Sequence, residues 1–258
     1  MYFIDVQGTL ISDVDKSPLP GSKEFIARLS ENQTPFMVIT NNTKEASKDF
    51  YDFLQNQGFD FPYANYLDPL MLLEDRVSKG SVAAYGAQKF LDVLEKMGYT
   101  FDYIKPKTVL IAIKEDFTNE EYAQMIEFIL GGAKLVGMHE TSLYAKNAKR
   151  YPGVGALLKM LSFATSCSYD VVGKPSTAFY NEALARLREQ DQHANFKDIT
   201  IISDDVKGDL CGAKEMGMRC QFVTSGKYKS AEEILPFIEP HLRPDGVFKD
   251  MQEILEKL

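Results

Sequence analysis

The stretch Tyr2-Phe3-Ile4-Asp5-Val6-Gln7-Gly8-Thr9-Leu10 decides the reading of this chain. Tyr2 to Val6 has the length and apolar character of a buried strand, Asp5 is its one charge, and a Gly-Thr turn follows. Alone, such an Asp is a turn cap. Its meaning depends on what recurs further along. Lys23 to Ser30 reads as a helix with Phe25, Ile26 and Leu29 on one side. Pro35 opens a second apolar run, Phe36-Met37-Val38-Ile39, which closes on Thr40-Asn41-Asn42. From Thr43 the period becomes helical through Ala46, Phe50, Phe53 and Leu54. Strand and helix alternate, which favours a parallel sheet with crossover helices.

The alternation continues. Strands are expected at 81–86, 108–113 and 133–136, and a helix through Phe90, Leu91 and Leu94 ends at Gly98. Thr118 with Glu121 three residues later is a capping box, and Gly131-Gly132 stops the helix it starts. Residues 153–164 read as an amphipathic helix. The last third is regular again: a short strand at 169–172, a helix capped by Ser176, a strand at 198–202, a helix over 207–216, and strands at 219–223 and 247–248. Residues near 75–85 and 165–172 are the candidate hinges of an insertion, since no Pro/Gly-rich linker marks a boundary.

Bulk properties narrow the function. In 258 residues, 45% apolar content supplies a real core. A net charge of −8 argues against a nucleic-acid backbone binder. Three cysteines without metal-like spacing, Cys167, Cys211 and Cys220, suggest free thiols. There is no signal-peptide pattern and no run of membrane-spanning length, so a cytoplasmic location is expected.

Four chemically loaded segments fall at strand ends, where open α/β sheets place ligands. They are Asp5 with Gln7-Gly8-Thr9, then Thr40-Asn41-Asn42, then Gly173-Lys174-Pro175, and finally Ser203-Asp204-Asp205 with Asp209. As a set they suit phosphoryl transfer, which needs a nucleophile, a divalent cation and donors to the phosphoryl oxygens. Asp5 can attack phosphorus and ligate Mg²⁺, and Asp204 adds a second hard carboxylate. Thr40 offers a hydroxyl and the N–H groups of a helix start. Lys174 offers a point charge. Outside the set, His193 and His241 read as non-catalytic; His139, beside Glu140, reads as a surface histidine with a substrate contact as the alternative, and Lys146, Lys149 and Arg150 as a solvated face with a second anion site as the alternative. Cys211 reads as helix core.

The order and spacing resemble the haloacid dehalogenase-like (HAD) phosphatases, and within them the nitrophenylphosphatase and N-acetylglucosamine-operon group called subclass IIA. The stretches that carry the resemblance are the N-terminal one, Ile39-Thr40-Asn41-Asn42-Thr43, Tyr151 to Leu157, Val172-Gly173-Lys174-Pro175-Ser176, and Asp204 to Met218. It implies a doubly wound, Rossmann-like α/β core at 1–80 and 170–258, with an inserted α/β cap at 81–169 that roofs the site. It implies a Mg²⁺-dependent phosphoric monoester hydrolase acting on a small phosphorylated metabolite through an aspartyl-phosphate. No nucleic-acid or membrane partner is implied, and a homodimer is left open. By the resemblance, Asp5 is nucleophile and metal ligand, and Gln7 gives its main-chain carbonyl to the metal. Thr40, Asn41 and Asn42 bind phosphate, and Lys174 orients it. Asp204 ligates the metal, and Asp209, with Asp205, holds metal-bound water. The chain departs from the family in two places. Gln7 stands where the family has an acid/base Asp, and an amide cannot exchange protons near neutral pH. Ser203 replaces the usual Gly. Gln7 therefore implies slow turnover, and it leaves two other readings open: an impaired pseudo-phosphatase that binds without turnover, and a phosphotransferase. Asp13, Asp15 or a metal-bound water could take over the proton work.

Overall fold

The computed structural model describes residues 1–146 and 149–257, with backbone alone at 145 and 146. In chain order the first elements are β1 (Tyr2–Asp5), α1 (Ser22–Glu31), β2 (Phe36–Ile39), α2 (Ser47–Asn56) and β3 (Tyr66–Leu67). Next come α3 (Leu70–Arg76), β4 (Val82–Tyr85), α4 (Gln88–Lys96), β5 (Thr108–Ile111), α5 (Asn119–Leu130) and β6 (Lys134–Gly137). A hairpin of β7 (Leu143–Lys146) and β8 (Lys149–Pro152) leads to α6 (Val154–Thr165), β9 (Tyr169–Val171) and α7 (Thr177–Gln190). The chain closes with β10 (Thr200–Ser203), α8 (Cys211–Glu215), β11 (Arg219–Val223), β12 (Gly246–Phe248) and α9 (Met251–Leu255).

Two compact units result. The first holds Met1–Thr40, Lys48–Leu67 and Tyr180–Leu258; the second holds Asn41–Ser47 and Asp68–Phe179. The first is built on a six-stranded sheet in the order β12-β11-β10-β1-β2-β3. All its pairings are parallel. β2 and β10 are buried along their length and β1 from Phe3 onward, which is why their sequences are largely apolar. From β1 the chain winds one way to β2 and β3, and later the other way from β10 to β12. The order therefore reverses between β1 and β10, and such a switch point opens a crevice beyond the strand ends. Phe3 stacks on Tyr180 with ring centroids 6.4 Å apart, seating α7 on the sheet.

The second unit carries the parallel sheet β4-β5-β6-β9. Met125 and Ile129 of α5 and Leu157, Leu158 and Leu161 of α6 pack on Val109, Ile111 and Leu135 of its strands. Each such side chain contributes about 1.5–3 kcal/mol by burial. The Thr118–Glu121 capping box is formed: Glu121 N–H donates to the Thr118 hydroxyl at 3.2 Å, and Thr118 N–H to Glu121 Oε2 at 2.8 Å. All three cysteines are free. Among the described residues, no helix is long and apolar enough to cross a membrane.

Several elements differ from the reading above. The helix expected over 207–216 is broken into a π-helical turn, Val206–Leu210, followed by α8. Cys211 is consequently at the start of α8 and half-buried rather than core. The expected helix from Thr43 begins only at Ser47, because residues 43–46 form a loop in which Asn42 Nδ2 donates to the Glu45 carbonyl at 3.1 Å. His139 is buried, at 6% exposure, and is not a surface histidine. Lys149 and Arg150 are exposed, while the Lys146 side chain lies outside the described residues.

Candidate active site

Asp5 ends β1, and Asp204 follows the last residue of the neighbouring β10. Pairing in register, Ile4 with Ile202, brings both to the crevice at the switch point. Asp5 is 5% exposed and Asp204 4% exposed. Thr9 donates its hydroxyl to Asp5 Oδ2 at 3.3 Å. Gly8 makes the turn with φ of 79°, a left-handed conformation that favours glycine. Gln7 does not face solvent idly: its Oε1 accepts the Thr40 hydroxyl at 2.7 Å. The departure residue is therefore tied to the end of β2.

The carboxylates form an acidic cluster. Burial pushes the Asp204 carboxyl well above the usual range, and Asp5 and Asp13 push it further, against the pull of Lys227. Partial desolvation likewise raises Asp13, despite Lys16, Lys227 and Lys229. Asp15 behaves oppositely. The Ser17 hydroxyl and N–H and the Ser12 hydroxyl hold it down to about 2, where it is a poor base.

Asp209 is turned inward. Its Oδ2 accepts the Ser203 hydroxyl at 2.6 Å, and Ser203 Oγ in turn accepts Asp205 N–H at 3.0 Å. Ser203 thus has a use that glycine would lack. Asp205 Oδ1 accepts Gly208 N–H at 2.9 Å, capping the π-helical turn, and Asp205 Oδ2 pairs with Lys227 Nζ. Lys227 N–H donates to Asp204 Oδ2 at 2.6 Å. Sequence reasoning missed Lys227, which follows a strand in a loop without periodicity.

The remaining expected residues belong to the second unit. Lys174 is 1% exposed. Asn41 holds its main chain from both sides: Lys174 N–H donates to Asn41 Oδ1 at 2.9 Å, and Asn41 Nδ2 donates to the Lys174 carbonyl at 3.4 Å. Glu140 N–H also donates to that carbonyl, at 3.1 Å, which puts the segment after His139 beside it. A Cβ at Gly173 would lie 2.6 Å from Asn41 Oδ1, so this close approach requires glycine. Asn42 is engaged within its own loop. The first unit thus gathers Asp5, Gln7, Thr40, Asp204 and Asp209, and the second gathers Asn41 with Lys174.

The donor set of the first unit fits a hard divalent cation. Buried carboxylates that repel one another gain most from a metal charge, and all the donors are oxygens. Among the described residues, no three His, Cys, Asp or Glu side chains form a ready metal cluster. Two carboxylates with a main-chain carbonyl suit Mg²⁺, which keeps several of its waters.

Residues 2–100 match the family model described as haloacid dehalogenase-like hydrolase, and residues 171–254 match a second one described as HAD-hydrolase-like. The Mus musculus haloacid dehalogenase-like hydrolase domain-containing protein 2 is 27% identical over 259 residues, covering 99% of this chain and 95% of its own. A Rattus norvegicus phospholysine phosphohistidine inorganic pyrophosphate phosphatase is 26% identical over 267 residues, covering 99% and 92%. Among solved structures, p-nitrophenyl phosphatase from Archaeoglobus fulgidus shares the fold with a TM-score of 0.81 at 22% identity, over 100% of this chain and 98% of that one.

Proposed function

The chain belongs to the haloacid dehalogenase-like hydrolases, and from that premise we propose that it is a Mg²⁺-dependent phosphatase of small phosphorylated metabolites. The observation that carries the proposal is the pair of buried carboxylates, Asp5 and Asp204, at adjacent strand ends in the switch-point crevice. Asp5 attacks phosphorus as the bond to the leaving group breaks and becomes the aspartyl-phosphate, and water then attacks that phosphorus, releasing inorganic phosphate and restoring the Asp5 carboxylate. Asp5, Asp204 and the Gln7 main-chain carbonyl would hold the cation, and Asp209 would hold one of its waters. Mg²⁺, when bound, supplies charge neutralisation at the phosphoryl oxygens. Thr40 takes a phosphate oxygen. For Asn41, Asn42 and Lys174, phosphate binding is proposed on the family resemblance, not on their placement. On the same ground residues 81–169 are proposed as the inserted cap, and a cytoplasmic location is proposed from the sequence pattern alone.

Gln7 bears on the substrate. Without a side-chain acid, a poor alkoxide leaving group departs unprotonated, whereas acyl and aryl phosphates, and phosphoramidates already protonated on nitrogen, suffer less. The name of the rat relative points the same way, since phospholysine and phosphohistidine are activated phosphoryl donors. The test is phosphate release from a panel of alkyl, aryl, acyl and N-linked phosphates with Mg²⁺, beside Asp5→Asn. Activity on the activated members that vanishes in Asp5→Asn supports the proposal. Release that survives Asp5→Asn would refute it.

A second reading is favoured by the Gln7–Thr40 hydrogen bond, which occupies a hydroxyl meant for phosphate. In that reading the protein binds a phosphometabolite without turnover. It predicts saturable ligand binding with no phosphoenzyme on any panel member. A phosphoenzyme that decays faster with an added alcohol than with water would instead mark a phosphotransferase.

A further inference from the structure

Residues 225–227 follow β11 and run against the Asp204 carboxylate. Ser225 donates its hydroxyl to the Gly8 carbonyl at 2.7 Å, tying this loop to the turn after β1. A Cβ at Gly226 would lie 2.0 Å from Asp204 Oδ2, and one at Gly8 would lie 2.2 Å from it. Asp204 therefore sits in a slot between two glycines. Lys227 closes that slot with its N–H on Asp204 Oδ2 and sends its side chain to Asp205. Both partners of this ion pair are nearly buried, with side chains 12% and 11% exposed.

We propose that Lys227 is a positioning residue of the metal site, a built-in counter-ion that commits Asp205 to the fold and offsets the carboxylate repulsion around Asp204. One carboxylate of the Asp204-Asp205 pair is then presented to the cation. The inference rests on the reading of Asp5 and Asp204 as Mg²⁺ ligands. It implies that the lysine and the metal share the neutralisation of one cluster. Removing the lysine charge leaves more negative charge for the metal to neutralise, and a less stable protein when no metal is bound.

The test is Mg²⁺ titration by calorimetry, with melting temperatures measured with and without Mg²⁺. Lys227→Met is expected to bind Mg²⁺ about tenfold more tightly than wild type, the order of effect of one screened unit charge near a divalent ion. Its metal-free melting temperature falls more than its Mg²⁺-saturated one. Lys227→Arg keeps the charge and stays near wild type in both. Asp205→Asn is expected to bind about tenfold more weakly, and the double variant Asp205→Asn/Lys227→Met returns toward wild type. If wild type binds Mg²⁺ and the charge-changing variants leave its affinity unchanged, the counter-ion role is wrong while the metal site stands. If wild type binds no divalent cation, the metal-site reading falls and takes this inference with it.

Discussion

At the residue scale, the decisive position is Gln7. Its Oε1 is held by Thr40 at 2.7 Å, so it is ordered in the crevice yet has no proton to trade. General acid/base catalysis contributes on the order of 10² to 10⁴ in rate. Its loss falls unequally on the two half-reactions. Activated substrates rescue the first, but no substrate rescues attack of water on the aspartyl-phosphate. We expect Gln7→Asp to raise hydrolysis of alkyl phosphates by about 10²-fold or more and to shorten the phosphoenzyme lifetime, read by rapid-quench trapping. An unchanged rate would mean that another group does the proton work. Asp15, held down to about 2, is unsuited to it, and Asp13, whose carboxyl is raised, is the stronger base of the two.

At the element scale, the π-helical turn over Val206–Leu210 shows how a local departure serves the crevice. Asp205 caps it through Gly208, and its first turn buries Asp209 against Ser203. Ser203→Ala would deprive a buried carboxylate of one hydroxyl partner. The expected loss is about 1.5–3 kcal/mol, the worth of a hydrogen bond to a charged group, measured by urea unfolding. A loss below about 0.5 kcal/mol would show that the Ser203 hydroxyl is dispensable.

The same elements show what was legible beforehand. Phe36–Ile39 matches its strand because a doubly buried strand must be apolar throughout. Thr118 and Glu121 declare their helix start because a cap is a local, side-chain event. The 207–216 region misled because a π-turn preserves helical composition while changing the hydrogen-bond ladder. β3 is two residues long, too short for any period, and the β7–β8 hairpin mixes Tyr, Lys and Arg with Leu143, Ala145 and Pro152 and shows no clean apolar alternation. Of the candidate site, the placement of Asp5 and Asp204 was readable because one ends a strand and the other directly follows one. Lys227 and the buried His139 were not, because their settings depend on tertiary contacts that no local pattern encodes.

At the scale of the whole molecule, the acidic cluster links stability to pH and metal. Asp204 has its folded pKa raised, so without metal the folded state holds more protons than the unfolded one above the ordinary carboxylate range. This contribution to stability is greatest near that lower range and is lost as pH rises through the folded pKa. Chelated protein should therefore show, from this group, a melting temperature that falls as pH rises. Saturating Mg²⁺ should flatten that slope by favouring the carboxylate form. Equal slopes with and without Mg²⁺, by scanning calorimetry, would sink the linkage.

The sheet order of the first unit also sets a timetable. Tyr2 pairs with Thr200, so the strand that carries Asp5 is synthesised early and its neighbour late. At about 5–20 residues per second, β10 emerges roughly 10–40 s after β1. During that interval β1 can join β2 but has one bare edge, a template for the wrong strand. The newborn chain therefore passes through a stage that invites chaperones, and nascent chains stalled before Thr200 should be retained by them more strongly than full-length ones.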